Sequence, residues 1–129
     1  MKKNIIIVSL IFILPVIAYF ILSDTQAISA TKHKDGSPQI IKFSSKLCFD
    51  CKKLKKVFDE IVPNYDNEIT VIEYDVQSND TKTKKAIDDY NITLVPTVIF
   101  INRAGQEVKR TEGFVEKEML EKHINEILK

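Results

Sequence analysis

Apolar and polar positions alternate in distinct rhythms along the chain, and each rhythm predicts an element. Ile5 to Leu22 is an eighteen-residue run without charge, interrupted only by Ser9 and Pro15. As a helix rising about 1.5 Å per residue it would extend roughly 27 Å, close to the ~30 Å hydrocarbon thickness of a bilayer. Gln39 to Ser44 (QIIKFS) is short and β-prone, which predicts a first strand. From Phe49 to Val62 the apolar residues Cys51, Leu54, Val57, Phe58, Ile61 and Val62 share one helical face, and Pro63 marks the end. Ile69 to Val76 (ITVIEYDV) predicts a second strand, and Asn79 or Asp80 can cap a helix running to about Tyr90. Thr97 to Ile101 (TVIFI) suits a central strand buried on both faces. Ala104-Gly105 then turns the chain into an antiparallel partner, Gln106 to Thr111. A last helix is expected over about Glu116 to Leu128, with Leu120, Ile124, Ile127 and Leu128 on one face. The order βαβαββα implies an α/β fold with a mixed sheet of about four strands and helices on both sides.

These rhythms divide the chain into an apolar segment (1–22), a polar stalk (23–38) and a single domain (39–129). Lys2 and Lys3 precede the apolar segment, whereas Ser23 to Thr31 carries no basic residue, so the domain is expected outside the cytoplasm and the N-terminus inside. The segment is long for a cleaved signal and reads as a single-pass membrane anchor. Thr25-Gln26-Ala27 and Ile28-Ser29-Ala30 offer small-residue cleavage sites, and with them the alternative of a secreted or periplasmic product. No lipobox-type cysteine follows the apolar block, so a lipid anchor is not expected.

Composition narrows the function. With 19 basic and 18 acidic residues the chain has a formal net charge of +1, which gives no electrostatic case for nucleic acid. Hydrophobic residues make up 44% and charged residues 29%, as expected of a folded domain rather than a disordered one. There are two cysteines, Cys48 and Cys51, too few for a disulfide framework.

Cys48-Phe49-Asp50-Cys51 lies where the first strand gives way to the first helix, and that placement carries chemistry. Unpaired N–H groups and the positive end of the dipole at a helix N-terminus favour a thiolate, which makes Cys48 the attacking sulfur. Cys51, one turn on and facing inward, can resolve the mixed disulfide. Asp50 opposes thiolate formation, while Lys46, Lys52 and Lys53 favour it. A structural zinc site needs about four ligands, and only His33 and His123 are available besides the two cysteines. A structural disulfide would close too short a loop to stabilise much. A module holding a soft ion such as Cu(I) between two thiolates is a further reading. Val95-Pro96-Thr97 opens the central strand with a residue that cannot donate to the ladder. Either Pro96 is an ordinary trans residue starting a strand, or a cis bond turns the Val95 backbone toward the cysteines, where it can pair with an extended substrate.

With these residues in order, the chain resembles the thioredoxin family from about Gln39 to Leu128. The resemblance rests on IIKF, Cys48-Phe49-Asp50-Cys51-Lys52, Val57 to Ile61, ITVIEYDV, Val95-Pro96-Thr97 and Gly113 before the last helix. It implies a thioredoxin-like fold, a cis bond before Pro96, Cys48 as nucleophile and Cys51 as resolver, with Val95 and Pro96 contacting substrate. It also implies a redox-active disulfide with no other cofactor or metal, and protein thiols or disulfides as partners. A reductant is expected more than an oxidant, recharged by a membrane electron donor. Several positions depart from the family. The opening strand and helix are missing or reduced, Leu47 replaces the usual Trp, and Phe49-Asp50 replaces Gly-Pro. There is no proline at Lys56. Lys42 stands where the family has a buried Asp that relays a proton to the resolving cysteine. Its stem can pack while its ammonium reaches water, or, if buried, it can itself accept a proton. The run Lys52 to Lys56 reads as a solvated helix face, and His33 and His123 sit in no motif.

Overall fold

The computed structural model describes residues 36–129, together with Ile13, Leu14 and Val16. Those three are helical and exposed. The rest of the apolar segment and residues 23–35 of the expected stalk lie outside the described residues, and among the described residues no helix is long and apolar enough to cross a membrane.

Strand β1, Gln39–Ser44, is the hub. Its alternation sends Ile40 and Lys42 to one face of the sheet and Ile41 and Phe43 to the other. It pairs in parallel with β2, Thr70–Asp75, and antiparallel with β3, Thr97–Ile101, which pairs antiparallel with β4, Glu107–Glu112. The spatial order is β2-β1-β3-β4. Because β1 and β2 are parallel, the chain must cross a face of the sheet between them, and helix α1, Phe49–Ile61, makes that crossing. Helix α2, Thr81–Asp89, connects β2 to β3, and helix α3, Lys117–Leu128, closes the chain.

The two faces of the sheet carry two cores. On one side Ile40, Val98 and Phe100 pack with Leu54, Phe58 and Ile61 of α1 and with Leu120, Ile124 and Ile127 of α3. On the other, Ile41, Phe43, Ile99 and Ile101 pack with Ala86 and Tyr90 from α2 and its C-terminal end. Every residue of β3 is buried, which accounts for its unbroken apolar run. Pro38 is buried too, and its carbonyl accepts the Thr70 N–H at 2.9 Å, which ties the start of the domain to β2.

Two boundaries have local causes. Pro63 does not stop the chain dead after α1. Val62–Tyr65 continues as a 3-10 turn with Pro63 at its start, where the missing N–H has no partner to lose. The β3–β4 hairpin is held by Asn102, whose side-chain oxygen accepts the N–H groups of Ala104 and Gln106, both at 3.0 Å, and Gly105 takes the left-handed conformation there with φ of 78°. His123 proves to be a packing residue: it is buried against the Phe100 ring at 5.2 Å, with Nδ1 3.0 Å from Glu126.

Candidate active site

The site is built where β1 ends. A turn in which the Cys48 N–H bonds the Ser45 carbonyl at 3.2 Å delivers Cys48 to the N-cap of α1, with extended backbone angles of −83° and 124°. There its sulfur does what a capping oxygen does elsewhere, accepting the Cys51 N–H at 3.1 Å. A helix-terminal N–H aimed at Sγ stabilises negative charge on that atom once the pair is reduced. Cys48 and Cys51 are joined as a disulfide with Cα atoms 5.2 Å apart. Cys51 is 5% exposed and belongs to the buried stripe of α1, whereas Cys48 is half-buried. Only Cys48 can be reached by another polypeptide.

The Val95–Pro96 bond is cis, as the resemblance implies. Two bonds pin the loop around it: Thr97 Oγ1 donates to the Leu94 carbonyl at 2.6 Å, and the Gly113 N–H donates to the Pro96 carbonyl at 2.8 Å. Val95 O thereby stands 3.8 Å from Cys48 Sγ. Among the described residues no backbone group pairs with the Val95 N–H or C=O, so both are available to an extended chain laid beside the disulfide.

Around the sulfurs the surface is apolar and open. Leu47 is 82% exposed and Phe49 70%, and Leu94 and Phe114 are exposed as well. Lys53 joins two of them, its ammonium 4.6 Å from the Phe49 ring and 5.8 Å from that of Phe114. In the sequence Leu47 and Phe49 stand out only as departures from the family, and Leu94 and Phe114 belong to no motif. Their positions, directly before Val95 and directly after Gly113, were the available signal.

Lys42 corrects the expectation that its ammonium reaches water. The residue is 3% exposed, and its Nζ ends 3.1 Å from Glu73 Oε1 and 4.8 Å from the centre of the Phe58 ring. Glu73 is its direct partner across the β1–β2 ladder, a register that one strand alone does not reveal. Asp50 is exposed in the first turn of α1, and Lys46 lies 3.8 Å from Asp75. A cleft of about 420 Å³ opens beside Cys51, and its walls include Ser44, Lys46, Lys52 and Glu73. Among the described residues no group of three or more His, Cys, Asp or Glu converges as a metal site would require.

Comparison with known proteins agrees with this geometry. Residues 25–128 match the family described as Thioredoxin-like domain. The chain is 29% identical over 112 residues to the thioredoxin of Griffithsia pacifica, covering 80% of this chain and 97% of the relative. It is 27% identical over 91 residues to the thioredoxin of Alicyclobacillus acidocaldarius, covering 70% and 82%. The bifunctional thioredoxin reductase/thioredoxin of Mycobacterium leprae is 28% identical over 93 residues, 72% of this chain but only 19% of that protein. Among solved structures, that of a malarial protein superposes with a TM-score of 0.62 at 19% identity, over 72% of this chain and 99% of the other, which bears on the fold alone.

Proposed function

The chain belongs to the thioredoxin-like domain family, and on that footing we propose that it exchanges its Cys48–Cys51 dithiol with the disulfides of other proteins. One observation carries the reading. The more accessible sulfur caps a helix and lies 3.8 Å from the Val95 carbonyl, which pairs with no backbone group among the described residues, while its disulfide partner is buried beneath it.

In the reducing direction the Cys48 thiolate attacks a substrate S–S bond, forming a mixed disulfide and releasing one substrate thiolate. The substrate segment lies extended along Val95, with its side chains against Leu47, Phe49, Leu94 and Phe114. Cys51 then attacks Cys48 Sγ. The intramolecular disulfide forms, and the second substrate sulfur leaves as a thiolate. Two electrons have passed to the substrate, and a donor must return them. Run backwards, the same steps oxidise a substrate.

The finer reading is a reductant held outside the cytoplasm and tethered by the Ile5–Leu22 segment. It is supported by the lysine flank and length of that segment and by the thioredoxins among the relatives. A membrane electron donor follows from that placement.

Replacing Cys51 with Ser tests the exchange. The variant is expected to accumulate covalent adducts with a disulfide-containing protein that dithiothreitol releases, and the Cys48→Ser, Cys51→Ser double variant none. Equal absence of adducts from both would refute the proposal.

A further inference from the structure

Resolution of the mixed disulfide presents a proton problem. Cys51 must lose its thiol proton as its sulfur attacks, yet at 5% exposure it has little direct contact with bulk water. The cleft beside it is large enough, at about 420 Å³, to admit water, which occupies about 30 Å³ per molecule in the liquid. Two carboxylates line this cleft, Glu73 and Asp75, alternate residues of β2 that project on the α1 side of the sheet.

The two carboxylates are not equivalent. Both oxygens of Asp75 are engaged: Oδ1 accepts the Gln77 N–H at 3.0 Å, and Oδ2 faces Lys46 Nζ at 3.8 Å. Glu73 gathers its donors on one oxygen. Oε1 accepts a hydrogen bond from Ser44 Oγ at 3.0 Å and is ion-paired with Lys42 Nζ at 3.1 Å, and among the described residues no hydrogen bond reaches Oε2. A buried ammonium and a hydroxyl thus fix the carboxylate from below and leave its second oxygen unoccupied. Lys52 and Lys55 of α1, the latter bound to Asp59, and Lys46 of the loop complete the charged surroundings.

We propose that Glu73 is the proton acceptor for Cys51, acting through water in the cleft, and that Lys42 is the residue that positions it. The inference rests on the exchange reading above. In the resolving step the proton on Cys51 Sγ passes to Glu73 Oε2, and the sulfur's electron pair attacks Cys48 Sγ. The Cys48–Cys51 bond forms and the Cys48–substrate bond breaks. The departing pair stays on the substrate sulfur, which takes a proton from Glu73 or from water. In the oxidising direction Glu73 returns the proton to Cys51. The division of roles follows the geometry: Lys42 orients the carboxylate, and the carboxylate on the neighbouring strand does the transfer.

The test is single-turnover reduction of a protein disulfide by the reduced full-length protein, quenched with acid so that mixed disulfide and product are counted separately. Glu73→Gln keeps an oxygen for Lys42 and Ser44 but cannot accept the proton. It is expected to slow resolution by about tenfold or more near pH 7, leaving mixed-disulfide formation within about twofold, with the deficit shrinking as pH rises toward about 9. Glu73→Asp should restore part of the rate. Lys42→Met should slow resolution in the same sense, and Asp75→Asn should resolve like the wild type. Resolution by Glu73→Gln within about twofold of wild type across this pH range would overturn the assignment, as would a slowdown found in Asp75→Asn instead. Failure of the wild type to form any mixed disulfide would remove the exchange reading itself, and this inference with it.

Discussion

Phe43 shows how much one side chain contributes beneath the site. It is fully buried in the middle sheet position, stacked on Tyr74 at 5.2 Å between ring centres and tilted against Tyr90 at 5.9 Å. Phe43→Ala is expected to destabilise the oxidised protein by about 3–5 kcal/mol, measured by urea unfolding, because the rigid surroundings cannot close over the cavity. At the surface the expectation is kinetic. Phe114→Ala should slow reduction of a protein disulfide several-fold while sparing a small disulfide such as oxidised glutathione, since only a polypeptide reaches across to the Phe114 ring. Equal effects on both substrates would remove Phe114 from the docking surface. At this scale the sequence was readable where chemistry and position coincide within a few residues. Cys48, Cys51, Val95 and Pro96 could all be named from local pattern. Glu73 could not, because its role depends on facing Lys42 across a ladder. The placing of Lys42 stays open in the sequence for the same reason, its counter-ion being 31 positions away in the chain.

Helix α2 tests the elements. Asp80 is its N-cap: Oδ1 accepts the Thr83 N–H at 2.8 Å, and Ser78 Oγ donates to Oδ2. The Ser78 hydrogen bond, followed by those from Thr83, holds the carboxyl well below the usual carboxylate range. A carboxyl depressed in the folded state contributes stability above its unfolded pKa, about 3.9, and that contribution fades as pH falls from there through the folded value. Asp80→Ala should therefore lower the melting temperature by a few degrees at neutral pH, and the gap from the wild type should narrow below about pH 4. A gap that stays constant down to acid pH would mean that the cap is not the cause. The elements themselves were legible because each rests on a local rhythm. β3 matches its predicted span, and α1, α2 and α3 begin within a residue or two of their expected starts. The difference at Pro63 reflects the other half of that residue's behaviour, since a proline that ends one helix also suits the first turn of another.

For the whole molecule, the arrangement follows from covering one sheet on both faces. Parallel pairing of β1 with β2 requires a crossover, and α1 as that crossover sets its N-terminus, with Cys48, at the C-terminal end of the central strand. The hairpin β3–β4 returns antiparallel, so the start of β3, with Val95 and Pro96 before it, lies at the same end of the sheet. Topology thus brings together two motifs 47 residues apart. The number of strands and the helices on both faces could be read from the sequence, but the register that pairs Lys42 with Glu73 could not.

The most direct test of the account is a redox titration of the protein, equilibrated in graded thiol-disulfide buffers with the Cys48–Cys51 state read by alkylation and mass. A reversible two-electron transition is predicted, with a midpoint near or below about −250 mV for a reductant, whereas one above about −180 mV would reverse the proposed direction. Absence of any reversible disulfide, above all with a soft metal ion retained on the two thiolates, would contradict the account at its centre.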